Sequence, residues 1–536
     1  MTFLQITPRN TNGWTYAKVG TVSYSTSTPG LKTLTFVGAP PTQDGKAGYG
    51  WQFAGTPITD GSGTLGVTVR TWGITDFASA STYTGPTVIS TGTAWADASD
   101  VASTSGPFGK PGATSATSTP IYLGDAYTSS SGSNASLLTN AGVTLIRPIT
   151  VNDCATQGFY TIGGNSTSTS TLSGLITVNQ PTIFSQAATG TLNITGGIVS
   201  GKAGVQQLLT FYSPGTINVT QPIADCNSGT VAVTVGIPNT VGLGTTTFSA
   251  ANTYSGATTV GYTGTLKLDF TAAGAPLSNI INPLSSLVLN GGTLNVTGKN
   301  TATVNSQTFT NGTTINPGGS SIQLTTGASA PAADCIALGA ITRKAGGTVD
   351  FSFPAPANGV IKTTTPNAIF PGGQQTILGG WATVGAGNAN ASITAIDWAV
   401  SGSGSTAGAI TALPAAGYTA GLVPGTDALI AAQGTTNYAG NLTLNSLKVN
   451  AANGVSGAAG SGAYYGVNVV GDLTIATGGI LSIATTYNYG WITANHLTSA
   501  NGQDLIVATF SNQWSNSVTI DGIITDCGTA STGPCP

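Results

Sequence analysis

Residues 245–268 read TTTFSAANTYSGATTVGYTGTLKL, and the same pattern returns as SSLVLNGGTLNVTG (residues 285–298) and NGTTINPGGSSIQL (residues 311–324). Each unit is a run of about five residues in which apolar positions alternate with Thr, Ser or Asn, closed by Gly, Asn-Gly or Pro-Gly. Alternation marks a strand with one buried face, and the closing residues supply the positive φ that a tight corner needs. A single unit cannot bury its own apolar face, but stacked units can. The imperfect repetition therefore predicts a solenoid whose strands pair with those above and below.

Outward from this stretch the grammar continues through SNIINPLSSLVLNGGTLNVTG (residues 278–298), ALGAITRKAGGTVDFSFP (337–354), ILGGWATVGAG (377–387), NLTLNSLKVN (441–450) and GDLTIATGGILSI (471–483). Together with ANTYSGATTV and GTLKL, these residues resemble the autotransporter-associated strand repeat, found in parallel β-helical passenger domains and large secreted repeat proteins of bacteria. The resemblance covers roughly residues 245–483. It implies a β-helix and an exported, surface-facing life, and it implies no activity, because such passengers are diverse. The final DCGTASTGPCP contains no membrane-barrel strands and no anchor, so the resemblance is to the passenger part alone.

Composition agrees with an all-β chain. Only 6% of the 536 residues are charged, against roughly 25% in ordinary soluble proteins. All 17 acidic residues are Asp; the chain contains no Glu, and Gly occurs 76 times. Scarce Glu, Lys and Arg with abundant Thr and Ser disfavour helices. The net charge of −3 offers no basic footprint for nucleic acid and no polybasic patch for a membrane surface. No apolar run approaches membrane-spanning length. The start, MTFLQITPRN, has no basic n-region, apolar core or cleavage site, which leaves a removed leader, a leader outside this numbering, or another export route.

Read in order, residues 1–115 hold Trp14, Trp51, Trp72 and Trp95, half of the eight tryptophans. With alternating runs joined by Pro-Gly and Gly-Ser, they predict antiparallel strands in a β-sandwich-like cap whose aromatics form its core. The first run contains Phe3, Leu4 and Ile6. It either completes a neighbour's sheet as a donor strand or forms an edge strand of its own domain. Residues 116–139 are rich in Ser, Thr, Gly and Pro and read as a linker. Residues 140–500 form the expected right-handed parallel β-helix, with about 20–30 residues per coil and a length of roughly 60–90 Å. Residues 501–536 are expected to cap it, since an open solenoid end polymerises edge to edge.

Five cysteines occur: Cys154, Cys226, Cys335, Cys527 and Cys535. Four follow an Asp (Asp153, Asp225, Asp334, Asp526), which suggests one structural slot used repeatedly. Disulfides are the expected state, and the odd count leaves one thiol free or paired between chains. A single His (His496) and the absence of CxxC argue against zinc, and no metal or other cofactor is expected. Catalytic β-helices need clustered carboxylates with a basic partner. The close pairs here, Asp97 with Asp100 and Asp521 with Asp526, read as turn or cap residues. Arg343-Lys344 reads as an exposed corner. Sequons at Asn134, Asn165, Asn193, Asn218, Asn295, Asn311, Asn390 and Asn441 are candidate glycan acceptors.

These features predict a non-enzymatic, extracellular structural subunit whose partner is itself, with glycans attached or bound. An adhesin-type passenger holding carbohydrate is the alternative; a periodic stripe of exposed Tyr or Asn on one face would favour it. A phage tail spike or polysaccharide-active β-helix stands third, and requires a groove that gathers two Asp and a base.

Overall fold

The computed structural model describes residues 2–4, 16–18, 22–23, 30–37, 50–53, 57–131, 134–154, 159–226, 229–237, 244–326, 329, 334–353, 359–370, 375–385, 395–403, 406–451, 464–484, 489–511 and 518–525. Strand far outweighs helix among the described residues, and nearly all of the strands pair in parallel. It divides into two compact units, Met1–Ser285 and Ser286–Pro536.

In the first unit three columns of like residues run from coil to coil. One joins Ala94, Leu137, Ile162, Phe184, Phe211, Val235 and Val260 in direct register. A second is almost pure isoleucine, at Ile121, Ile149, Ile176, Ile198 and Ile223. The third runs Leu145, Leu172, Ile194, Val219, Phe248 and Leu268. Every one of these side chains is buried. Each contributes on the order of 2 kcal/mol by leaving water. Thr and Asn recur at the outward positions between them, as at Thr150, Thr177, Asn193 and Asn218. That is the solenoid the alternation predicts, with corners set by residues such as Gly291 and Gly312 (both φ +82°) in the second unit.

The start of the chain differs from the sequence expectation. Thr2–Leu4, Leu31–Val37, Thr64–Phe77 and Thr87–Ala96 pair in parallel, not antiparallel. The last of them pairs with Ala135–Thr139, so these are early coils of the same ladder. Alternation tells which face a residue takes but not which strand it meets, and Pro-Gly serves a coil corner as well as a hairpin. The aromatic core itself is present. Phe36, Phe53, Phe77 and Phe108 stack in sequence at 4.8, 5.3 and 5.0 Å, with Trp51 beside Phe36 at 5.5 Å. Two tryptophans are exceptions: Trp72 is 47% exposed and Trp95 is half-buried between Ala94 and Ala96; Trp14 lies outside the described residues. Phe3 and Leu4 sit opposite Phe36 and Val37 of the same chain, so this strand belongs to its own sheet; Ile6 lies outside the described residues. The segment read as a linker carries strand Ile121–Leu123 and helix Ala126–Ser131 and leads directly into strand Ala135–Thr139.

The second unit repeats the theme and then breaks it. Leu294, Ile322, Phe351 and Val384 form a parallel column, after which Asp397–Ser403 pairs antiparallel with Ala382–Val384 and with Thr406–Ala412. A further parallel block follows around Ala428, Leu447, Val467, Ile480 and Ile492. Two further strands join this block: Ile506–Ser511 pairs with Gly479–Ala484, and Val518–Ile524 with Tyr489–Ser499.

Candidate functional site

The terminal sheet of the second unit gathers the most distinctive surface. Its strands Gly434–Tyr438, Tyr464–Val469, Tyr489–Ser499 and Val518–Ile524 pair in parallel. Tyr465, Val467, Val469, Ile492 and Ala494 point into the core, so Tyr464, Gly466, Asn468, Trp491 and Thr493 occupy the opposite face. Register places Thr435, Gly466, Trp491 and Thr519 in one outward row and Asn437, Asn468, Thr493 and Asp521 in the next. Tyr464 and Trp491 are 43% and 41% exposed. Asn468 Nδ2 donates to Asn437 Oδ1 at 2.8 Å. Because Gly466 has no side chain, a hollow of about 270 Å³ opens beside Trp491. The sequence carries a signal for this: YYGVNV and YGWITAN place Tyr464 and Trp491 in the outward phase of the alternation.

Among the described residues, no further strand lies along the outer edge of this sheet: Val518–Ile524 pairs only with Tyr489–Ser499. In a separate sheet, Ile506–Ser511 pairs only with Gly479–Ala484. Ile523 and Ile524 are 59% and 61% exposed.

The candidate cysteines behave differently from expectation. Cys154, Cys226 and Cys335 are free thiols. Stacking does not bring like to like here: Cys335 stands opposite Ser306 and Val360, and Cys154 Sγ meets Tyr160 Oη at 3.6 Å. Burial raises the Cys154 thiol above its ordinary value, with the Tyr160 hydrogen bond opposing; burial likewise raises Cys335, with Lys362 opposing. Neither is an activated thiolate. Cys527, Cys535 and Asp526 lie outside the described residues. The preceding aspartates do structural work. Asp225 Oδ2 accepts the Ser255 N–H (2.9 Å) and Asp334 Oδ1 the Asn305 N–H (2.7 Å), each from a neighbouring coil. Asp153 instead takes Lys202 Nζ at 2.8 Å.

The carboxylate pair suggested by proximity in sequence is not formed. Asp100 is buried and accepts the N–H groups of Ile146 and Arg147 (2.7 and 3.2 Å). Asp97 instead faces Asp76 of the adjacent coil. Gln52 Nε2 donates to Asp76 Oδ2 (2.9 Å), Asn140 Nδ2 to Asp97 Oδ2 (3.2 Å) and Asn165 Nδ2 to Asn140 Oδ1 (3.2 Å). Burial pushes the Asp76 carboxyl up to about 6; the Gln52 hydrogen bond opposes this and the Asp97 carboxylate adds to it. Arg343, expected at a free corner, pairs with Asp504, which also accepts the Gly346 N–H at 2.6 Å. His496 Nδ1 meets Asp472 Oδ1 at 2.7 Å. Among the described residues no three His, Cys, Asp or Glu side chains gather as metal ligands, and no helix is long and apolar enough to cross a membrane.

The sequons fall into two groups. Asn134, Asn165, Asn311 and Asn441 are exposed, whereas Asn193, Asn218 and Asn295 lie half-buried within ladders. Asn218 Nδ2 donates to Asn193 Oδ1 (3.0 Å) and Asn295 Nδ2 to Gln323 Oε1 (3.1 Å). Asn390 lies outside the described residues. Glycosylation consumes Nδ2, so a glycan on Asn218 or Asn295 would remove a rung's donor. Expression in a host with the N-linked pathway is expected to fill Asn134 and Asn441 and to leave Asn218 and Asn295 bare, as read by peptide mass spectrometry.

What fold and surface define is a parallel β-solenoid protein. No protein-family model matches the chain, and neither a curated protein nor a solved structure matches it. The resemblance to the strand-repeat passengers rests on its motifs alone.

Proposed function

We propose that the chain is the structural subunit of an extracellular filament or surface layer, assembled from copies of itself. The observation that carries this reading is the bare edge of Val518–Ile524. Soluble sheets blunt their edges with Lys, Pro or a bulge. This strand, VTIDGII, carries one Asp and a shift of register against Thr493–His496, yet it still exposes two isoleucines at its end. A strand of another copy laid along it would continue the ladder and cover Ile523 and Ile524. The work is mechanical: stacked backbone ladders give stiffness, and the sparse charge lets copies approach without repulsion.

Sedimentation velocity over rising concentration, with negative-stain electron microscopy, tests the reading. The native chain is expected to form elongated oligomers or fibres. The double variant Ile523→Lys, Ile524→Lys, which charges an already exposed edge, is expected to stay monomeric with an unchanged circular dichroism spectrum. A native chain that stays monomeric at high concentration would overturn the proposal.

A further inference from the structure

We propose that the outer face of the terminal sheet binds a neutral polysaccharide, with one pyranose ring stacked on Trp491 beside Tyr464. An indole and a phenol, each more than two-fifths exposed, flank a hollow kept open by Gly466. A Cβ on Gly466 would meet Thr435 Oγ1 at 3.1 Å, so any larger side chain there would fill the space. The negative face of an indole ring attracts the partly positive C–H groups of a sugar's apolar face, and the sugar's hydroxyls then point sideways. Hydrogen-bonding groups wait there: the Asn468 amide with its Asn437 partner, and the Thr435 and Thr493 hydroxyls.

Two further features select the ligand class. No residue lining the hollow carries a charge, and the nearest register position that does is Asp521, opposite Thr493. A phosphate or uronate chain would find no cation and one carboxylate, which leaves a neutral glycan. The polar row also repeats at the spacing of adjacent strands, ~4.8 Å. That is close to the length of one sugar unit in an extended glycan, so a chain crossing the strands would meet an amide or hydroxyl at each step. The site does not depend on self-assembly, because it uses the face of the sheet and not its edge.

Affinity electrophoresis of the full chain, in native gels containing hydroxyethylcellulose, xyloglucan, laminarin, dextran or soluble starch, tests this, with polygalacturonate as the acidic comparison. The monomeric edge variant Ile523→Lys, Ile524→Lys serves as background, so that assembly does not alter mobility. Retardation in at least one neutral gel is expected, weakened roughly tenfold or more by Trp491→Ala and severalfold by Asn468→Ala. Both side chains lie on the solvent face, so melting temperatures should be unchanged; a Trp491→Phe variant that restores part of the retardation would confirm a stacking role. Absence of retardation in every neutral gel overturns the proposal. So does retardation equal in the background and Trp491→Ala proteins, or retardation by polygalacturonate alone. A Trp491→Ala change that alters sedimentation of the native chain and not its retardation would make this face a contact between copies.

Discussion

Asp76→Asn is expected to raise the melting temperature at pH 8, by less at pH 5, and hardly at all as pH falls toward 4. Asp76 is 3% exposed and faces the half-buried Asp97. Its carboxyl is raised from the ordinary 3.8 to about 6, so the folded chain holds a proton there that the unfolded chain releases. The stability linked to that proton is fully present below about pH 4 and is lost as pH rises through 6. Two pH units correspond to roughly 3 kcal/mol as an upper figure. Asparagine keeps the shape, accepts from Gln52 and offers Asp97 a permanent donor, which removes the loss. A gain of about 1–3 kcal/mol at pH 8 follows, or roughly 2–5 °C in a chain of this size. Thermal unfolding of both proteins between pH 4.5 and 8.5 checks it; parallel curves would show that no proton is shared. Asp504 runs the other way. The Gly346 N–H and Arg343 hold its carboxyl below the ordinary value, so its contribution is lost only in stronger acid.

The second large effect is expected from Lys448→Met. Lys448 is 4% exposed, and its Nζ lies 2.6 Å from Asp397 Oδ2 and 3.1 Å from the Ile396 carbonyl. The ammonium also sits 5.3 Å from the centre of the Tyr418 ring, whose hydroxyl donates to Asp397. Around this group close Ile377, Trp398, Leu413, Leu481 and Ile483. Methionine fits the volume but leaves a carboxylate buried with no counter-charge, at a cost of about 3–5 kcal/mol. Adding Asp397→Asn should recover most of the loss, because a neutral pair has no charge to strand. Chemical denaturation of the two single variants and the double variant reads the coupling. A double variant no more stable than Lys448→Met would mean that the pair is not what holds the antiparallel turn of Asp397–Ala412 in place.

The alternation of residues 245–324 was enough to read strand, buried face and stacking, because period-two burial is written locally. Partner choice was not. Residues 20–38 alternate as well as residues 245–268 do, and nothing in either run distinguishes a neighbour one hairpin away from one a full coil away. The same gap explains the sites. Asp97 and Asp100 are three positions apart in sequence, yet folding gives them separate roles and pairs Asp97 with Asp76, about a coil earlier. The hollow beside Trp491 exists because Gly466 and Thr435 arrive in register from two other coils. Cysteine spacing suggested recurrence, and two of the Asp residues do share a task, but the thiols that follow them meet Ser, Val and Tyr.

The isoleucine column at positions 121, 149, 176, 198 and 223 has a consequence for ancestry. Any two adjacent members are interchangeable as seen by the coil above and the coil below. A recombination between their codons therefore removes or duplicates a whole turn and rejoins matching surfaces, with no frame of packing to repair. In such a protein length is a heritable trait that moves in discrete steps, free of the constraint that keeps the size of a closed core fixed.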